Sequence, residues 1–287
     1  MHPFEYEAPA TLHDALALLA EHRDEAKVLA GGQSLVPLLN YRLAKPRVVV
    51  DINDLPFAAI RVDDGHVSLG ALVRHHHLEE SADVASHCPV LKEAAALIGN
   101  VRVRALGTVG GSLAHADPAA ELPLVMVALD ARLDVRSARG QRTLAAREFF
   151  TGYLSTALAP DEVIVDVRVP VIGDAGHALE EFARRAGDFA LVAALAVVSL
   201  DARGRVATAR LGVGGVGPTP VRLPAAEDAL VGHEPSDERL TRVAAVVADA
   251  LDPQADAFAS AAYRRHLARV LIRRALTRAV ARALEVA

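Results

Sequence analysis

The sequence predicts an α/β chain that closes on an α+β unit, and three observations predict it. Short β-type and helical runs alternate through the first fifty residues. The mixed pattern continues as far as 163-VIVDVRVP-170. After the glycine-containing link 172-IGDAG-176, three β-rich runs come together ahead of a series of helices. The expected division is an α/β portion over residues 1–175, in lobes of about 1–57 and 58–175, and a C-terminal α+β domain over 176–287 with a three-stranded antiparallel sheet.

Each element has its own signal. The run 4-FEYEA-8 reads as a short strand, and Thr11 with Asp14 three residues on resembles a capping box, opening a helix with Leu12, Ala15, Leu16 and Leu19 on one face. The run 26-AKVLA-30 is a strand that enters Gly31-Gly32, Ser34 is placed to cap a short helix, and 47-RVVVDI-52 is a buried strand. Further on, helices are expected near 88–98 and 120–129 and strands near 66–72, 131–136 and 163–169. In the last third, β-type runs at 178–186, 190–200 and 205–215 are followed by helices near 224–231, 236–250 and 257–285, with 201-DARG-204 as a hairpin turn.

Composition removes several function classes. With 52% hydrophobic and 23% charged residues in 287, the chain can build a sizeable core and is not disordered. A net charge of −5 without a basic cluster gives no footprint for nucleic acid. No apolar run of about 18 residues is present, and the N-terminal 1-MHPFEYEAPAT-11 is acidic where a signal peptide would be basic, so a cytoplasmic protein without integral membrane contact is expected. Cys88 is the single cysteine, which rules out an internal disulfide, a thiolate zinc site or an iron–sulfur cluster held by several cysteines of this chain. With no Trp and 4% aromatics, the core must be built from Ala, Val and Leu.

Two stretches share one grammar: 27-KVLAGGQSL-35 and 104-RALGTVGGSLAHADPAAELP-123. A strand ending in two glycines ahead of a helix leaves outward-pointing N–H groups that suit an anionic oxygen, with no Cβ in the way. Such a pair also makes an ordinary tight turn, but here the pattern recurs. Thr108, Gly110, Gly111 and Ser112 repeat it at what reads as a strand-to-loop junction, and neither loop contains Lys or Arg. Two such loops can clamp one diphosphate, with Glu121 accepting from a ribose hydroxyl or simply favouring the helix dipole.

Other candidates carry less. Neither loop matches GxxxxGK[ST], and 212-GVGGVG-217 leads to Pro218 and Pro220 where a dinucleotide fingerprint needs a helix. His115 and Asp117 have no matching nucleophile, so they read as cleft lining and no catalytic residue is expected. The three consecutive side chains of His75-His76-His77 diverge, which favours a solvated helix start over a metal site. Arg265, Arg269 and Arg273, with Arg274, Arg278 and Arg282, form two i,i+4 rows that read as a solvated face or a dock for an acidic partner.

AGGQSL (30–35), TVGG (108–111) and ADPAAELP (116–123), with 184-RRAGDFALV-192 and 214-GGVGPTPVRL-223, together resemble the flavin-binding medium subunit of the molybdenum hydroxylases, the group of aerobic carbon monoxide dehydrogenase and the flavin domain of xanthine dehydrogenase. The resemblance covers nearly the whole chain. It implies a PCMH-type FAD-binding fold of two α/β lobes and a small C-terminal domain of the CO dehydrogenase flavoprotein type, with FAD held noncovalently between the lobes. By the same resemblance, Leu29, Ala30, Gly31, Gly32, Gln33, Ser34 and Leu35 and Thr108, Gly110, Gly111 and Ser112 surround the diphosphate region, alongside Ala114, His115 and Ala120. Glu121 would face the ribose, Ile98 and Ile164 the adenine or flavin rings, and Asp188 lies in a segment that returns to the cofactor.

The implied partners are a [2Fe–2S] small subunit and a molybdopterin large subunit, as a dimer of heterotrimers, with electrons leaving through FAD to an external acceptor. Relatives often carry a Lys shortly before the Arg184-Arg185 pair, where this sequence has Glu180 and Glu181. Two rival readings are a self-contained FAD oxidase of the vanillyl-alcohol type, for which the last domain is small, and a non-catalytic flavin-binding scaffold.

Overall fold

The computed structural model describes residues 1–286. The chain opens with β1 (Glu5–Glu7), α1 (Leu12–His22), β2 (Ala26–Leu29), α2 (Leu35–Asn40) and β3 (Val48–Asp51). The three strands form a parallel sheet in the order β1-β3-β2. The Thr11 hydroxyl accepts from the Asp14 amide at 3.2 Å, as the capping signal predicts. Ala15, Leu16 and Leu19 of α1 then pack on Val48 and Val50.

β4 (Ile60–Asp63) and β5 (His66–Gly70) follow, then a run of helices: α3 (His75–Glu80), α4 (Ala82–His87), α5 (Pro89–Leu97), α6 (Val101–Leu106), α7 (Val109–His115) and α8 (Glu121–Ala128). β6 (Arg132–Ser137), β7 (Gly140–Ala145), α9 (Ala146–Phe149), β8 (Phe150–Gly152), β9 (Ser155–Thr156) and β10 (Val163–Pro170) complete this part. Its five-stranded sheet runs β4-β5-β10-β6-β7 with every pairing antiparallel.

The last part contains β11 (Gly176–Phe182), β12 (Val192–Leu200), β13 (Val206–Gly214), β14 (Val221–Arg222), α10 (Pro224–Asp228), α11 (Asp237–Ala250) and α12 (Ala261–Val286). The three expected strands are present as an antiparallel meander, and the two-residue β14 adds a fourth. Residues 192–198 are apolar without alternation because β12 is covered on both faces, by α12 and by α8. No helix among the described residues is long and apolar enough to cross a membrane.

Four expectations are corrected. The second glycine stretch is helical: Asn100 and Thr108 cap α6 and α7, the Asn100 side-chain Oδ1 accepting from the Arg102 and Val103 amides and the Thr108 hydroxyl from the Gly111 amide. Two caps eight positions apart outweigh the poor helix propensity of Val and Gly. Ser34 stands at the start of α2 in a helical conformation, and its hydroxyl caps nothing there. His75 is buried, because α3 begins beneath Gly107. The last helix begins at Ala261: the Asp256 carboxylate accepts from the Phe258 and Ala259 amides and holds that stretch as a turn, and Ser260 caps the helix.

Candidate functional site

A cleft of about 780 Å³ lies where the end of β2 meets α7 and the start of β10, within the range of cofactor pockets. All the predicted cofactor-binding residues line it except Leu29, which ends β2 and whose carbonyl accepts from the Ile52 amide at 3.0 Å. The two glycine stretches touch there. A Cβ on Gly31 would lie 2.2 Å from the Leu106 carbonyl oxygen, so only glycine permits the approach. Gly32 has φ +70°, a left-handed conformation natural to glycine.

The stretches differ in what they offer. Among the described residues nothing accepts from the amides of Gly31, Gly32, Gln33 and Ser34, a run of free donors on the cleft wall. At the second stretch the amides are spent internally: Val109 donates to the Val73 carbonyl at 2.9 Å, Gly110 to Ala71 at 2.8 Å, Gly111 to the Thr108 hydroxyl at 3.1 Å and Ser112 to the Thr108 carbonyl at 3.0 Å. Gly110 sits against Ala71, where a Cβ would lie 2.7 Å from another. The second stretch therefore presents the hydroxyls of Thr108 and Ser112, where the sequence suggests backbone donors.

Glu121, at the first turn of α8, is 4% exposed, and burial pushes its carboxyl up to about 8, with the charges of Glu181 and Asp117 adding to the shift. Burial raises Glu181 to about 7, and its Oε2 has no partner among the described residues. His75 donates from Nε2 to the Thr108 carbonyl at 3.0 Å, and burial lowers it to about 4, so the ring is neutral and fixed in one tautomer. His115 and Asp117 both line the cleft, but the Asp117 carboxylate accepts from the Ala119 amide at 2.9 Å and shapes the turn into α8. Burial lifts the Cys88 thiol to about 12, which makes it inert. No cluster of three metal-binding side chains occurs among the described residues.

Lys27, Gly99, Val103, Leu154 with the two residues of β9, Pro160, Gly187 and Phe189 also line the cleft and were not among the predicted site residues. They come from four separate segments with no shared motif. Leu154, with φ +49°, has no sequence signal of the kind glycine provides. The arginine rows of α12 are largely occupied: Arg273 pairs with Asp237 at 2.7 Å, Arg278 with Glu180 and Arg282 with Glu93. Glu180 is thus a strut to α12.

The family described as the FAD binding domain in molybdopterin dehydrogenase matches residues 2–172, and the CO dehydrogenase flavoprotein C-terminal domain matches 177–279. The chain belongs to this family. It is 42% identical to 6-hydroxypseudooxynicotine dehydrogenase complex subunit alpha of Paenarthrobacter nicotinovorans, over 98% of this chain and 95% of that one. It is 35% identical to the carbon monoxide dehydrogenase medium chain of Afipia carboxidovorans, over 98% of each. The structure of quinoline 2-oxidoreductase from Pseudomonas putida 86 superposes with a TM-score of 0.95 at 35% identity, covering 99% of both chains.

The protein is an FAD-binding medium subunit of the molybdenum hydroxylase family, an oxidoreductase subunit. Its cleft fits that cofactor: it has a row of free amides for an anionic diphosphate, a left-handed glycine within that row, and, in Glu121, a buried carboxyl on its lining.

Proposed function

We propose that this chain is the electron-transfer subunit of a heterotrimeric molybdenum hydroxylase of the cytoplasm. It works between the [2Fe–2S] clusters of a small subunit and an external acceptor, while a large molybdopterin subunit oxidises the substrate and two heterotrimers pair. FAD, when bound, supplies a centre that takes up electrons singly or in pairs. The free amides of Gly31, Gly32, Gln33 and Ser34 carry the reading, because four uncompensated donors on one wall suit a diphosphate.

The chain's own residues divide the remaining work. Thr108 and Ser112 add hydroxyl donors, Glu121 accepts from a sugar hydroxyl, and Ile98 and Ile164 exclude water from the rings. Most of the cleft wall comes from a first domain, 1–175, with lobes of about 1–57 and 58–175, and residues 176–287 form a second, which adds Gly187, Asp188 and Phe189 to the lining. Relatives of similar length are named for caffeine, glyceraldehyde and carbon monoxide. Such variety on one architecture supports a substrate site outside this subunit.

Two measurements test the reading. Acid denaturation should release intact FAD into the supernatant, and a yellow pellet would mean covalent attachment. Isolated subunit loaded with FAD should not bleach anaerobically with purines, aldehydes, N-heterocycles or carbon monoxide, yet should bleach with one of these when its co-expressed partners are present. Bleaching by the isolated chain would favour a self-contained oxidase.

A further inference from the structure

The first glycine stretch follows a strand of the parallel sheet and the second lies in α6, α7 and the start of α8, and no backbone hydrogen bond joins them among the described residues. Two side chains do. The Asn53 Nδ2 donates to the Ala30 carbonyl at 2.9 Å and to Asp51 Oδ1 at 2.6 Å, while its Oδ1 accepts from Arg74 Nη2 at 2.6 Å. The other arm of Arg74, Nη1, donates to the Leu106 carbonyl, the oxygen against which Gly31 packs. Asp51 is held from behind by the Tyr6 hydroxyl at 2.6 Å and by the Asn53 amide at 2.9 Å. Every polar group of the Asn53 side chain is used, so its orientation is determined.

We propose that Asn53 and Arg74 are positioning residues for the cofactor: they lock the two loops in register and aim the first free amide of the diphosphate wall. The inference rests on the cofactor site proposed above. A trans peptide is planar with its C=O and N–H pointing opposite ways, and no cis peptide is present among the described residues. Anchoring the Ala30 carbonyl on Asn53 therefore turns the Gly31 N–H the other way, toward the cleft that Gly31 lines. Neither Asn53 nor Arg74 lines the cleft, so both act through the backbone. The planar fork of Arg74 reaches Asn53 and Leu106 at once, which a single ammonium cannot do in the same geometry.

The test titrates FAD into full-length apoprotein, reading flavin fluorescence and the visible circular dichroism of the bound flavin. The variants are Asn53→Ser, Arg74→Lys and the pair, with Arg242→Gln as a remote surface control. Each single substitution should weaken FAD binding about ten- to a hundredfold, the loss expected when a charge-assisted hydrogen bond is removed. Each should also alter the dichroism while apoprotein melting stays near wild type. The double variant should be little worse than the poorer single, because the two residues act as one relay. Wild-type affinity in the singles, strictly additive losses, or affinity that falls only in step with apoprotein stability would overturn the proposal. If Gly32→Val also binds FAD like wild type, the cofactor site itself has been misplaced.

Discussion

At Glu121 two influences oppose each other: the N-terminus of α8 favours a charged carboxylate, and burial disfavours it and wins, with the pKa at about 8 against 4.5 for an ordinary glutamate. A carboxyl whose folded pKa is raised contributes stability that is present below the unfolded value and lost as pH rises through the folded one. The apoprotein should therefore lose stability between about pH 5 and 8, by on the order of a few kcal/mol. Glu121→Gln should flatten that profile in urea melts, leaving the slope due to Glu181. A sugar hydroxyl donating to Glu121 favours the carboxylate, so FAD affinity should rise across the same window in wild type and not in the variant; a flat wild-type profile would remove Glu121 from the site. At Gly32, with φ +70°, Gly32→Val should cost on the order of 1–3 kcal/mol and abolish FAD binding, with far-ultraviolet dichroism unchanged. Gly32 was legible as a special residue because the glycine pair after a strand recurs at Gly110-Gly111, where a single pair would read as an ordinary tight turn. The pKa of Glu121 was not, because Glu181, one of its neighbours, lies 60 residues along the chain on β11.

Among the elements, β11 and α12 approach so closely that a Cβ on Gly176 would lie 1.9 Å from the Ala279 carbonyl oxygen and 2.4 Å from the Ala283 amide nitrogen. Gly176→Ala should force them apart and cost about 1–3 kcal/mol, lowering the melting midpoint by several degrees without affecting FAD stoichiometry. Arg264 of α12 is buried and donates to the carbonyls of Leu191 and Gly215 and to Asp256. Arg264→Met strands those acceptors and should cost about 3–5 kcal/mol, read as a lower urea midpoint. The strands and long helices were readable because their apolar periods are strong over many residues. α6 and α7 were hidden behind valines and glycines, whose low helix propensity is offset by side-chain caps that propensity alone does not weigh.

Over the whole molecule, α8 decides how the parts depend on one another. All eight of its residues are buried, between α5 on one side and the C-terminal sheet on the other, with Leu124 against Gly212. One core cluster joins Leu122, Leu124 and Val125 to Leu179, Ala193 and Leu195. The Gly215 amide donates to the Pro118 carbonyl at 2.9 Å and Gly187 packs on Gly99, so the last part also supports the cleft. Full-length protein should melt in one calorimetric transition that FAD moves upward, and residues 1–175 expressed alone should bind dye and aggregate. Two separate transitions, only one of them sensitive to FAD, would show the two parts to be independent.

The sequence by itself determined the order and type of most elements, the two glycine stretches, the absence of a thiolate metal site and the family. These are properties of neighbouring residues, of composition and of motif spacing, which a linear chain records. Only the tertiary structure decided which stretch keeps its amides free, that His75 is buried and neutral, and that Asn53 and Arg74 join loops more than seventy residues apart. Those facts depend on which acceptor lies opposite each donor once the sheets have packed. A hydrogen-bonding group has the same letter in the sequence whether its partner is the protein, water or a ligand.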